Sequence, residues 1–102
     1  MKREIVQKYE KKAKIFKSLA HPTRIFIFEE LSKKERCVCE LTALVGDDIT
    51  TISKHLSIMK EAGLVGNNRD GNRVVYFLKD HTALNFVTCV EKFENCSQGG
   101  QI

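Results

Sequence analysis

Cys37-Val38-Cys39 is the stretch of this chain whose residue types and spacing most directly promise chemistry. Thiolates prefer soft, thiophilic ions. Two of them at the positively polarised start of a helix ionise more easily than free thiols do. Two further cysteines, Cys89 and Cys96, are seven residues apart. On one helix that is about 10 Å along the axis, whereas sulfurs on one ion lie within about 4 Å. Within one chain they cannot share an ion, so at most one of them joins Cys37 and Cys39, including from a partner subunit. The alternative for this second pair is simple packing beside Phe86 and Phe93.

A second group of residues suits a nucleic acid. With Ile52, Leu56 and Met59 turned inward on a helix, Thr50, Thr51, Ser53, Lys54 and Ser57 fall on or beside the opposite, polar side. Such side chains reach base edges and phosphates when a helix lies in a major groove. His55 falls at the border of the buried stripe, either as a half-buried packing or phosphate-contacting residue or as a base reader. Arg69 and Arg73 flank Asp70-Gly71, where two guanidinium groups could reach the DNA backbone or minor groove.

The elements that must position these groups follow from periodicity. Ile5, Tyr9, Ala13, Phe16 and Ala20 recur at helical spacing over Lys2 to Ala20, among seven Lys/Arg; this is an amphipathic helix. Pro22 suits the first position of a second helix running to about Ser32, with Ile25, Phe26, Phe28 and Leu31 as its apolar side. A third covers Cys37 to Val45, with Leu41, Leu44 and Val45 inward and Gly46 as its cap. A fourth covers Thr50 to Ala62, closed by Gly63. Two short helices joined by a tight corner at Asp47-Asp48 suggest a helix-turn-helix. Val65 to Leu78 reads as a β-hairpin turning at Asp70-Gly71. Ala83, Leu84, Val87, Val90 and Phe93 mark a fifth helix.

The fold class is therefore mainly α with a small β-hairpin, a winged helix-turn-helix of five helices plus wing. Residues 1–96 are expected to form one DNA-binding domain, and 97–102 a flexible tail. With 102 residues, 42% apolar and 29% charged, the composition fits a single core. A net charge of +4, from 17 Lys+Arg against 13 Asp+Glu, suits an anionic partner.

Several classes are set aside. The longest apolar runs, Ile25 to Phe28 and Val74 to Leu78, fall far short of the roughly 20 residues that span a bilayer. Met-Lys-Arg-Glu leads into alternating charged and apolar residues, unlike a secretory signal, so the expectation is a cytoplasmic protein without membrane contact. Its thiols are then expected to be reduced, and a structural disulfide framework is not expected. No Cys-x-x-Cys, phosphate loop or His-Glu-x-x-His is present, so neither an enzyme nor a catalytic cofactor is expected.

Leu19-Ala20-His21-Pro22-Thr23-Arg24, Cys37-Val38-Cys39-Glu40-Leu41, Ile52-Ser53-Lys54-His55-Leu56, Glu61-Ala62-Gly63-Leu64-Val65 and the Arg69-to-Tyr76 hairpin resemble the ArsR/SmtB repressors. The match runs in order from Lys17 to Leu78. The resemblance implies a homodimer built from the first and last helices, bound to double-stranded, two-fold operator DNA and released by an inducer. Ile49 departs from the polar residue the family often has at the start of its reading helix. Cys-x-Cys-Glu-Leu resembles the arsenic- and cadmium/lead-sensing members, which implies Cys37 and Cys39 as ligands for arsenite, antimonite or a soft divalent metal. Arsenite in the family typically takes three sulfurs, which leaves Cys89 or Cys96 as candidates for the third. The family's zinc-type site on the last helix is disfavoured, because Asp80-His81 lacks a matching His or Glu farther along.

Residues two apart in a regular helix point about 200° away from each other. Both sulfurs are therefore expected to converge only if the helix start unwinds, which would tilt the reading helix. A thiol-based redox or persulfide sensor of the same fold is the alternative; relatives of that kind usually place a cysteine in the second helix, where this chain has Phe28.

Overall fold

The structure, a computed structural model, describes residues 1–99, apart from the side chains of 83, 84 and 96–99. Three of its helices begin where a side chain accepts a free amide of the first turn. Helix α1 spans Arg3–Leu19 and α2 Pro22–Lys33, with Pro22 at its start and His21 Nδ1 accepting from the Thr23 amide at 3.1 Å. Helix α3, Val38–Val45, is capped by Cys37 and ends at Gly46, whose φ of 90° satisfies the left-handed cap. Helix α4, Ile49–Glu61, is capped by Asp48, which accepts from the Thr51 amide at 3.0 Å.

Strand β1 (Arg36–Cys37), which the sequence reading lacked, adds to the hairpin of β2 (Val65–Asp70) and β3 (Arg73–Leu78) to make an antiparallel sheet in the order β1-β3-β2. Two residues carry no readable alternation, so only the pairings Arg36 to Tyr76 and Cys37 to Val75 reveal it. The hairpin turn is also one residue later than expected. Asp70 pairs with Arg73, leaving Gly71-Asn72 as the loop, and only Gly71 has positive φ, 64°. A positive φ at the first central residue alone is the pattern of a type II′ turn. A single 3-10 turn (His81–Ala83) leads into α5, Leu84–Gly99. That helix passes the Ser97 boundary assigned to a flexible tail; residues 100–102 lie outside the described residues.

The core joins Ile27, Phe28 and Leu31 of α2 to Leu41 of α3, Ile52, Leu56 and Met59 of α4, and Val65, Tyr76 and Leu78 of the sheet. Three inward assignments need correction. Ile25 and Phe26 are 41% and 37% exposed while Ile27 is buried; four consecutive apolar residues give no period, so packing alone selected the face. Leu44 is 48% exposed as well, because α3 turns Leu41 inward and leaves Leu44 beside Phe26 in a shallow surface hollow. The stripe Ile5, Tyr9 and Phe16 on α1 is exposed within the single chain, as are Val90 and Phe93 on α5. No described helix is long and apolar enough to cross a membrane.

Candidate nucleic-acid interface and thiol pair

Helix α4 buries Ile52, Leu56 and Met59 completely and exposes Thr50, Thr51, Ser53, Lys54 and Ser57. The polar side therefore stands free over a firmly seated apolar side. His55 belongs to the seated side. It is 9% exposed, and its Nδ1 lies 3.1 Å from an Arg24 guanidinium nitrogen. Arg24 also donates to the Ser18 carbonyl at 2.7 Å, so one side chain ties the end of α1, the start of α2 and α4 together. The His21 ring lies against His55, tilted by 53° with centroids 4.5 Å apart. Burial, then the neighbouring His21 and Arg24, hold the His55 imidazole below its ordinary pKa. A base-reading role is thus unsuited to His55, whose ring serves to seat the helix.

The wing separates its two arginines. Arg69 pairs across the hairpin with Val74, and Arg73 with Asp70, so the two occupy opposite faces of the ribbon. Arg69 is exposed and forms no ion pair among the described residues. Arg73 is turned back onto α3, its guanidinium 3.6 Å from a Glu40 carboxylate oxygen. The joint reach expected for the pair is therefore split, with Arg69 alone left free at the tip.

The sulfurs of Cys37 and Cys39 are adjacent and joined as a disulfide, with Cα atoms 5.3 Å apart. This corrects two expectations: thiols free in the chain, and a helix that must unwind to bring them together. Cys37 lies outside α3 in extended backbone, φ −77° and ψ 160°, while Cys39 is already helical. That change of conformation turns both side chains to one side with the helix intact, within the roughly 4.4–6.8 Å that a disulfide spans between Cα atoms. Cys37 is buried and Cys39 exposed.

Cys37 is also half of a capping box. Its Sγ accepts from the Glu40 amide at 3.3 Å, and its own amide donates to Glu40 Oε1 at 3.0 Å. That amide, then the nearby Lys34, Arg36 and Arg73 charges, hold the Glu40 carboxyl below its ordinary value. A hollow of about 280 Å³ opens beside the pair, walled by Cys37 and Cys39, by Ile49 and Ser53 of α4, and by Asn72 and Arg73 of the wing. Cys89, exposed on α5, is a free thiol; the Cys96 side chain lies outside the described residues. Among the described residues no cluster of three or more His, Cys, Asp or Glu side chains forms a ready metal cage.

Residues 21–66 match the family model described as bacterial regulatory protein, arsR family. The HTH-type transcriptional regulator MJ1325 of Methanocaldococcus jannaschii is 34% identical over 85% of this chain and 99% of its own length. The chain belongs to the ArsR/SmtB family. Rv0081 of Mycobacterium tuberculosis, an HTH-type transcriptional regulator, is 44% identical over 67% of this chain, a match that spans 60% of the relative. Its crystal structure superposes with a TM-score of 0.76 at 36% identity, covering 83% of this chain and 86% of that one. The homodimeric winged helix-turn-helix DNA-binding domain of Mb0332 from Mycobacterium bovis gives 0.81 at 25% identity, covering 93% and 88%. The cadmium resistance regulatory protein CadC of Listeria innocua is 34% identical over 71% of this chain and 61% of its own length. These relatives are transcriptional regulators, and the ArsR/SmtB chain shares their winged helix-turn-helix fold.

Three residues central to this geometry had no role assigned from sequence. Arg24 carries no local signal, since its His55 partner is 31 residues away, and Asn72 is known only as part of the wall of the hollow. Glu40 did carry one. Cys37-x-x-Glu40 is a capping box with cysteine in the place of serine or threonine.

Proposed function

We propose that this ArsR/SmtB chain is a homodimeric, cytoplasmic repressor that binds double-stranded operator DNA and releases it when a thiophilic inducer engages Cys37 and Cys39. The observation that carries this reading is the shared hollow: the thiol pair, the first turn of α4 and the wing tip form its walls. Thr50, Thr51, Ser53, Lys54 and Ser57 read the major groove, with Arg69 on the flanking backbone. The exposed apolar stripes of α1 and α5 supply the dimer contact, in line with the homodimeric Mb0332 domain.

The favoured inducers are arsenite or antimonite, or a soft divalent ion such as cadmium or lead. Similarity to CadC supports the soft-metal class, and so does the donor set, because two adjacent sulfurs suit soft ions over hard ones. A third donor would come from Cys89 or Cys96 across the dimer. Titration of operator DNA at fixed salt, with and without each ion, tests the proposal. Unchanged affinity at saturating ion would refute it.

One observation favours a second reading, a redox or persulfide sensor: the sulfurs are bonded to each other. Two thiols form that bond by giving two electrons and two protons to an oxidant such as a peroxide, which leaves as water and alcohol or as two waters. Mass spectrometry after arsenite, cadmium or persulfide treatment separates the readings. Metal adducts support the first, and a loss of two hydrogen atoms or a gain of sulfur supports the second.

A further inference from the structure

We infer that Glu40 is the joint through which the state of the thiol pair reaches the wing, an inference that rests on the regulatory role just proposed for that pair. Glu40 touches both sides at once. Its backbone amide donates to Cys37 Sγ, while its carboxylate accepts from the Cys37 amide and holds Arg73 of the wing at 3.6 Å.

The remaining contacts of that carboxylate are anchored. Glu40 Oε2 lies 3.7 Å from Arg36, whose guanidinium is fixed 2.9 Å from the buried Glu30, itself held by Lys33 at 2.8 Å. The pairing of β1 with β3 stops at Cys37 and Val75. Beyond it, residues 73 and 74 have a ladder partner only in β2. The Arg73–Glu40 pair is thus the side-chain tie between the wing tip and the body of the domain on that side. At this exposure such a pair is weak, which suits a tie that must release.

A capping box is reciprocal. When Cys37 Sγ turns to bind a soft ion, the hydrogen bond it accepts from the Glu40 amide is stretched. The first turn then shifts, the carboxylate leaves Arg73, and the tip carrying Asn72 and Arg69 loses its register with the reading helix. No unwinding of α3 is required.

Glu40→Gln tests this, because glutamine keeps the acceptor for the Cys37 amide and removes the charge that holds Arg73. With reduced protein, cadmium chloride as the probe and operator DNA at fixed salt, ligand-free E40Q should bind as weakly as cadmium-loaded wild type. Its ratio of affinities without and with cadmium should fall to within about twofold of one, against the roughly fivefold that a tie worth about 1 kcal/mol can carry. Thiolate-to-metal absorbance should still report cadmium on the variant. Retention of the wild-type ratio by E40Q overturns the inference and assigns coupling to the Ile49 and Ser53 wall.

A second arm needs no ion. Cys37→Ala removes the sulfur acceptor and Cys37→Ser replaces it, so amide resonances of Gly71 and Asn72 should move in C37A as they do in E40Q and stay near wild type in C37S. Unmoved wing amides in a folded C37A overturn the joint. Wing amides that move while cadmium leaves wild-type operator affinity unchanged refute the inducer reading and sustain the joint.

Discussion

Nδ1 of His55 lies 3.1 Å from the guanidinium of Arg24, joining the buried side of the reading helix to the start of α2. Arginine has only donors, so Nδ1 accepts and the imidazole carries its proton on Nε2. Protonating Nδ1 would end the bond and set a second cation beside Arg24, with Asp47 as the opposing charge.

Stability is therefore expected to fall on mild acidification. The folded protein holds His55 below its ordinary value of 6.5, so the unfolded chain binds the extra proton more readily. The contribution is complete above that value and is lost as pH drops through the lower folded value. Melting temperature measured from pH 7.5 downward should decline below about pH 6.5, and His55→Asn, which keeps an acceptor near Nδ1, should flatten the decline. A variant as pH-sensitive as wild type would remove His55 as the cause.

Asp48 caps the end of α4 that faces the hollow. Asp48→Ala should cost about 1 kcal/mol, with Asp48→Asn costing much less, because either oxygen can accept the Thr51 amide. Thermal unfolding gives the magnitude. Faster hydrogen exchange at Thr51 and Ile52 in the alanine variant alone would locate the loss at this cap.

Arg69 is the unpaired arginine of the wing, whereas Arg73 is already engaged by Glu40. Arg69→Ala should weaken binding to all duplex sequences alike and reduce the salt slope of log K by about one. Ser53→Ala should instead change the preference among operator variants while leaving the slope intact. Equal effects of both on slope and preference would contradict the division between backbone and base contacts.

Phe93 is 75% exposed on α5, and Phe16 is 60% exposed while its ring meets Phe86 edge-on at 5.8 Å. Phe93→Glu adds a charge beside Glu91 and Glu94 and should shift the chain from dimer to monomer in sedimentation velocity, with its circular dichroism unchanged. An intact dimer would move the interface away from this face.

Much of this arrangement was legible in residue order. The five helices and the hairpin follow from period and punctuation: Pro22 opens α2, Gly46 closes α3, and Ile52, Leu56 and Met59 name the buried stripe of α4. These are local preferences, decided within a few residues of the chain. Other features are not local. Whether Ile25 or Ile27 faces inward depended on which neighbours arrived, and the two residues of β1 became a strand only because Tyr76 and Val75 lay alongside.

The thiol site divides in the same way. Sequence alone placed Cys37 and Cys39 at a helix start, but their convergence came from the extended cap at Cys37 and the helical backbone at Cys39. Tertiary packing then decided what surrounds them: a buried Cys37 and an exposed Cys39, a hollow shared with Ser53, and Glu40 reaching Arg73. Periodicity reports which residues leave water, whereas partners distant in the chain are set by how whole elements pack, and no short window of sequence contains that information.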